Sequence, residues 1–405
     1  MKKKIPVLLA VLIVITAVVV TFNATYVILT EKHRKETNEL IADYGFYSVL
    51  LKLDDTVREN YIGKINEEDL KNAILAGYVS GIGDKYSDFL TAEEYSSYVA
   101  EQSGSKVGIG INVIFDSSNL TIEILDVTEG GPADKAGVLP GDFVVAVNGE
   151  NVSVLGYYGT VNAMRGQPGE EVTVTFARGE STYEKTLARE AVAVRTVSYH
   201  ALTTEPDIGF VRLTEFNGTT PDQFTEALDN LKASGCKGLV IDLRNNGGGE
   251  LTSILRVLDT ILPEGPIVHI YMANGREEHY TSESGFVDMP ICVLVNGRTA
   301  SAAELFASAV ADYASEGKIK AATVGTTTYG KGVLQTYFTL GNGSAFKISV
   351  GRYDPPYSQN YDGVGVVPSI VSELSEEQES LGVYRLTDDN DDQLAAAVRW
   401  LKENI

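Results

Sequence analysis

Histidine, cysteine and tryptophan are scarce in this chain of 405 residues, at four, two and one. Cys236 and Cys292 stand in "SGCKGLVIDLR" and "MPICVLVNGR", each at the start of an apolar run and without metal-ligand spacing. Both read as small core residues rather than as a disulfide framework. His33, His200, His269 and His279 are scattered, with no HExxH or CxxC companion, so no metal or organic cofactor is expected. G-x-S-x-G, G-x-G-x-x-G and the Walker phosphate loop are missing as well. Positive charge is in deficit, with 33 Lys and Arg against 55 Asp and Glu and a net charge of -22. With no basic stripe interleaved with aromatics, the chain is not expected to bind nucleic acid.

What is present begins at the N-terminus. "MKKK" precedes "IPVLLAVLIVITAVVVTFNATYVILT", which carries no charge between Lys4 and Glu31 and is long enough to cross a bilayer of about 30 Å. Residues 1–30 read as a cytoplasmic tail and an uncleaved single-pass anchor; a signal peptide cleaved around Ala24 is the other reading. Lys2, Lys3 and Lys4 place the bulk of the chain outside the cytoplasm, although "EKHRK" after the span weakens that asymmetry. Residues 31–103 have helical spacing. Leu50, Leu53, Val57 and Tyr61 form a stripe expected to pack in a core, and "NEEDLKNAILAGYVSGI" carries an Asn66 cap with an acidic first turn.

Residues 104–182 turn to short β-rich runs, "KVGIGINVIF", "LTIEILDV", "DFVVAVNGE" and "EVTVTFARG". "GGPADKAGVLPGDFVVAVNG" predicts a short helix entered at Pro132, ended at Gly137 and followed by a "PGD" turn. In this order the motifs resemble a PDZ domain of the bacterial protease type. The resemblance makes Gly108, Ile109, Gly110 and Ile111 the loop that holds a peptide's terminal carboxylate, with Ile109 and Ile111 offering apolar surface. An ordinary strand with a glycine bulge is the alternative. Arg165, in "MRGQPGEEV", is a candidate partner for a carboxylate or else a solvated turn residue.

Over 183–372, strand-like and helix-like runs alternate, which argues for βα units on a largely parallel or mixed sheet. "GLVID" and "ICVLV" suit burial on both faces. Residues 373–405 end in "TDDNDD", whose acids cap a final helix. Three stretches of this region carry chemistry. In "TASAAELF", Ser301 and Glu304 form an S-x-x-E capping box, yet a hydroxyl there also sits beside unpaired amides that can steady an oxyanion. In "TTTYGKGVLQTYF", Lys331 lies between glycines, four residues before Gln335, with Tyr329 at hand to exclude water; a surface turn lysine is the plain alternative. "VIDLRNNGGGEL" runs a buried strand into three glycines whose N–H groups can converge on a negative oxygen, or simply make a tight turn.

Together "DLRNNGGG", "VLVNGRTASAAEL" and "YGKGVLQ", following a PDZ domain and an anchor, resemble the carboxyl-terminal processing (tail-specific) serine proteases. "GIGDKYSDFLTAEEY" and "GVGVVPSI" extend the likeness along nearly the whole chain. The resemblance implies a multidomain α/β plus β chain with a crotonase/Clp-protease-like α/β catalytic core. It implies Ser301 as nucleophile, Lys331 as general base and Gln335 as its orienter. The oxyanion hole would be the amides of Ala302 and of Gly247 or Gly248. Thr299 and Ala303 replace the family's outer serines, and the interval from Ser301 to Lys331 is a few residues longer than the family's usual one. The implied protein is a homodimer of the bacterial cell membrane that cuts proteins with accessible C-terminal tails on the extracytoplasmic side. A non-catalytic PDZ scaffold and a hydrolase of small esters are the rival readings.

Overall fold

The computed structural model describes residues 45–102, 105–116, 121–193, 195–283 and 286–405, together with helical residues 21–22, 25–26 and 29–30. Among the described residues no helix is long and apolar enough to cross a membrane; most of the span expected within residues 1–30 lies outside them. The chain divides into units of residues 1–71 and 72–405. In the first, Gly45–Asn60 is helical as the spacing predicts, and Arg58 ties its end with Asp54 and Glu67. The stripe is not a core, because Leu53 and Tyr61 are both 58% exposed.

In the second unit the β-rich part is a five-strand antiparallel path, Ile111–Asp116, Thr121–Val127, Phe143–Val147, Glu171–Arg178 and Ser181–Ala188, with Glu150–Asn151 paired at one side. The alternation in each strand sends one face inward, so Ile122, Ile124, Val144, Val172, Val174 and Phe176 share one buried cluster. Pro132–Lys135 is the short helix expected, and Gly137 leaves it at φ 79°. A second pairing, Ser105–Gly108 with Glu190–Ala193, carries this part beyond residue 182.

The α/β part has a six-stranded sheet in which Ile208–Leu213, Gly238–Asp242, Ile291–Val295, Ala321–Gly325 and Ile370–Val371 run parallel and Val197–Ala201 is an antiparallel edge. Every residue of Gly238–Asp242 and Ile291–Val295 is buried, as their unbroken apolar character predicts. Leu239, Ile241, Val293 and Val295 face the helices Thr220–Ala233, Leu251–Ile261 and Ala302–Ser315. Their neighbours Val240, Cys292 and Leu294 face Leu394, Ala397 and Leu401 of the last helix, Asp392–Asn404. Both cysteines are free and buried.

One element departs from the sequence reading. Asp88–Leu90, inside the region expected to be helical, is a strand paired with Ala345–Asp354 in a second, antiparallel sheet that also holds Val333–Thr339, Gly265–Met272 and Glu277–Ser282. Three residues are too few to show a period of two, and the ladder that fixes them comes from more than 250 positions along the chain.

Candidate active site

Ser301 occupies the turn between the buried strand Ile291–Val295 and the helix Ala302–Ser315, at φ 58° and ψ -121°. That conformation is sparsely populated for a residue with a Cβ. The turn is held from below: Thr299 Oγ1 donates to the Leu243 carbonyl at 2.8 Å, and the Ala300 N–H donates to the Asn246 carbonyl at 2.9 Å. Ser301 meets its cap reading in part. It is the N-cap residue of a capping box in which the Glu304 carboxylate accepts the Ser301 N–H at 2.8 Å, yet its hydroxyl makes no cap hydrogen bond of full geometry.

The "NNGGG" turn packs directly on this serine. A Cβ added to Gly248 (φ 103°) would lie 2.8 Å from both the Ala300 carbonyl oxygen and Ser301 Cβ, so only glycine fits. The Gly248 N–H is already committed, donating to Asn246 Oδ1 at 2.8 Å. Among the described residues neither the exposed Gly247 nor Ala302 has an acceptor for its N–H. Ala302 is the first residue of its helix, where an amide has no partner within the helix.

Lys331 reaches the site from the loop before Val333–Thr339. Gly330 (φ 86°) lets that loop press against residues 363–365, where a Cβ would stand 3.0 Å from the Gly365 nitrogen. Lys331 is half-buried, and its ammonium donates to Gln335 Oε1 at 2.7 Å. Burial lowers its proton affinity and Lys347 adds to the effect, while Asp84 and Glu304 oppose it. Among the described residues no hydrogen bond joins Lys331 to the Ser301 hydroxyl.

Four supporting residues were not legible as such. The Gln335 amide donates to the Tyr86 carbonyl, which leaves Oε1 aimed at the lysine, and the Tyr86 ring centroid is 4.9 Å from Lys331 Nζ. Tyr86, not the half-exposed Tyr329, therefore screens the ammonium. The Tyr353 hydroxyl donates to the Lys331 carbonyl at 2.8 Å, and that of Tyr361 donates to the Ser301 carbonyl at 3.3 Å. Glu304, read only as a cap, has further bonds described below. A lone tyrosine has no sequence pattern that marks such a role; only "GIGDKYSDFLTAEEY" hinted at the importance of its neighbourhood.

In the β-rich part, residues 108–111 lead into Ile111–Asp116, which pairs with Thr121–Val127 on one edge and, among the described residues, with no strand on the other. The Ile109 and Gly110 carbonyls accept from Ala133 and Thr128 at 2.8 and 2.9 Å, so they point inward, and among the described residues neither N–H has an acceptor. Pinning the carbonyl turns Ile109 into the core at 3% exposure, so it offers no surface; Ile111 is half-buried. Arg165 ends the helix Val152–Met164 beside Gly108, whose added Cβ would lie 3.8 Å from the Met164 carbonyl oxygen.

Comparison with known proteins bears on both parts. Residues 207–372 match Peptidase family S41, and residues 123–178 match the PDZ domain. The chain is 30% identical over 318 residues to a "Probable CtpA-like serine protease" of Staphylococcus saprophyticus, across 77% of this chain and 62% of that one. It is 28% identical over 366 residues to the "Carboxy-terminal processing protease CtpA" of Bacillus subtilis, across 90% and 76%. It thus spans about three-fifths of the staphylococcal relative's length. The crystal structure of a putative S41 protease from Bacteroides fragilis shares the fold, with a TM-score of 0.54 and 17% identity over 85% of this chain and 92% of that one. With the glycine turn, the serine at a helix N-terminus and the half-buried lysine assembled on this sheet beside a PDZ domain, the chain belongs to peptidase family S41, the carboxyl-terminal processing peptidases.

Proposed function

We propose that this chain is a serine endopeptidase that cuts proteins presented to it by their C-terminal tails. The carrying observation is the meeting at one turn of Ser301, the uncommitted N–H groups of Gly247 and Ala302, and the loop that bears a half-buried Lys331. Neutral Lys331 takes the Ser301 proton as Oγ attacks the scissile carbonyl, then gives it to the leaving amine. The tetrahedral oxygen is received by Ala302 and Gly247, whereas the Gly248 amide is occupied. Water attacks the acyl ester by the same proton route and frees Ser301. Before substrate enters, the lysine rests on Gln335; catalytic hydrogen bonds commonly tighten only in the complex.

The tail would add as a strand to the open edge of Ile111–Asp116, its carboxylate taken by the Ile109 and Gly110 amides near Arg165. The uncharged run before Glu31 supports an anchored protein with its catalytic part outside a bacterial cytoplasm. Exposed apolar residues of Gly45–Asn60, Leu51 and Leu53 among them, support homodimerisation.

Ser301→Ala should lower cleavage of a peptide with a free apolar C-terminus by at least about a thousandfold and leave its binding unchanged. Undiminished cleavage would rule out the nucleophile. Equal wild-type rates on free and amidated forms of that peptide would rule out recognition of the tail.

A further inference from the structure

A capping box asks one hydrogen bond of its glutamate. Glu304 accepts four. Oε2 takes the N–H of Ser301 and the N–H of Lys331, each at 2.8 Å; Oε1 takes the N–H of Gly330 at 2.6 Å and the Thr328 hydroxyl at 2.5 Å. The side chain is fully buried. Three of its four donors therefore come from a loop 24 to 27 residues further along, which a local cap does not explain. All four partners donate, so the site suits an acceptor-only carboxylate. Because one oxygen binds the amides of both Ser301 and Lys331, those two nitrogens lie within twice a hydrogen-bond length of each other. The carboxylate also favours the charged form of the Lys331 side chain, against the effect of burial.

We infer that Glu304 is a positioning residue of the catalytic pair, a strap that fixes the serine turn to the lysine loop and sets a buried negative charge between them. This inference rests on the Ser–Lys reading of the site. The balance of that charge against burial matters because one amine must first accept a proton from an alcohol and then return it to a leaving amine. Burial frees the amine of its proton and eases the return, but alone it would leave too weak a base for the first task. The strap also holds the Ser301 amide in its uncommon conformation, with Tyr361 supporting the carbonyl of the same residue.

The test is kcat/KM against pH for a fluorogenic peptide with a free apolar C-terminus, using the full chain. Activity rises as Lys331 loses its proton, so removing a nearby negative charge moves the acidic limb to lower pH. Glu304→Gln is expected to lower the plateau by about a hundredfold through misplacement and to shift the limb to lower pH. Thr328→Val removes one strap bond and keeps the charge; it should lower the plateau less and leave the limb in place. A folded Glu304→Gln variant with the wild-type plateau, or with an unmoved limb, overturns the inference. If that variant does not fold, Glu304→Asp, which keeps the charge but withdraws the oxygens, must lose rate with the limb in place, and a native rate there overturns it equally. Cleavage surviving in Ser301→Ala would instead refute the underlying reading of the nucleophile.

Discussion

Ser301 holds a backbone conformation of the kind that costs about 1–3 kcal/mol in a residue with a Cβ. Glycine would relieve that strain, less about 0.5–1 kcal/mol of extra chain entropy lost on folding. Ser301→Gly should therefore unfold at a higher temperature than both the wild type and Ser301→Ala, while being as inactive as the latter. A melting temperature no higher than that of Ser301→Ala would show that the turn stores no strain. At this scale the sequence was informative for residues set in short patterned stretches. Ser301, Lys331 and Gln335 stood out because glycines and a helix start framed them. The Thr299 hydroxyl, which stands where the family has a serine, proves to be a buried brace to the Leu243 carbonyl. Tyr86, Tyr353 and Tyr361 were invisible, because their roles depend on main-chain carbonyls brought near only by tertiary structure.

At the scale of elements, the strand Gly238–Asp242 and the last helix are joined by charge. Arg244, just past the strand, bonds Asp242 and Asp391, and Asp242 also receives Arg212. Burial opposes ionisation of Asp242, but Arg244 and Arg212 hold it well below the usual carboxylate range. Asp391 meanwhile caps the helix Asp392–Asn404 through the N–H groups of Gln393 and Leu394. The cap was readable in "TDDNDD". Its second bond, to an arginine 147 residues earlier, was not, since nothing local marks an acid as the partner of a distant guanidinium. Arg244→Met would strand Asp391 in the interior and leave Asp242 with Arg212 alone. The cost expected is about 3–5 kcal/mol, read from denaturant unfolding. Arg212→Met removes the more exposed partner and should cost clearly less. Equal losses would mean that Asp242, rather than the junction with the last helix, bears the whole effect.

Across the whole molecule, the PDZ domain and the S41 part keep separate interiors. Ile122, Ile124, Val174 and Phe176 belong to one buried cluster, and no member of it is shared with the clusters on the two faces of the parallel sheet. The sequence announced this separation through its change from short alternating strands to βα units. It gave no sign that residues 88–90 would cross into the second sheet of the S41 part, or that Arg385 of the C-terminal segment would pair with Glu123 of the PDZ domain. Such a partly exposed ion pair contributes about 0–1 kcal/mol, too little to make two cores unfold as one. Calorimetry of the Ser301→Ala chain should accordingly show at least two transitions. Val174→Ala should lower one of them and Leu228→Ala another. A peptide with a free apolar C-terminus, at about a hundred times its dissociation constant, should stabilise the transition that Val174→Ala lowers by about 2.7 kcal/mol, and its amidated form should not. A peptide that raised only the transition lowered by Leu228→Ala would place tail recognition in the S41 part, and the PDZ domain would lose its proposed role.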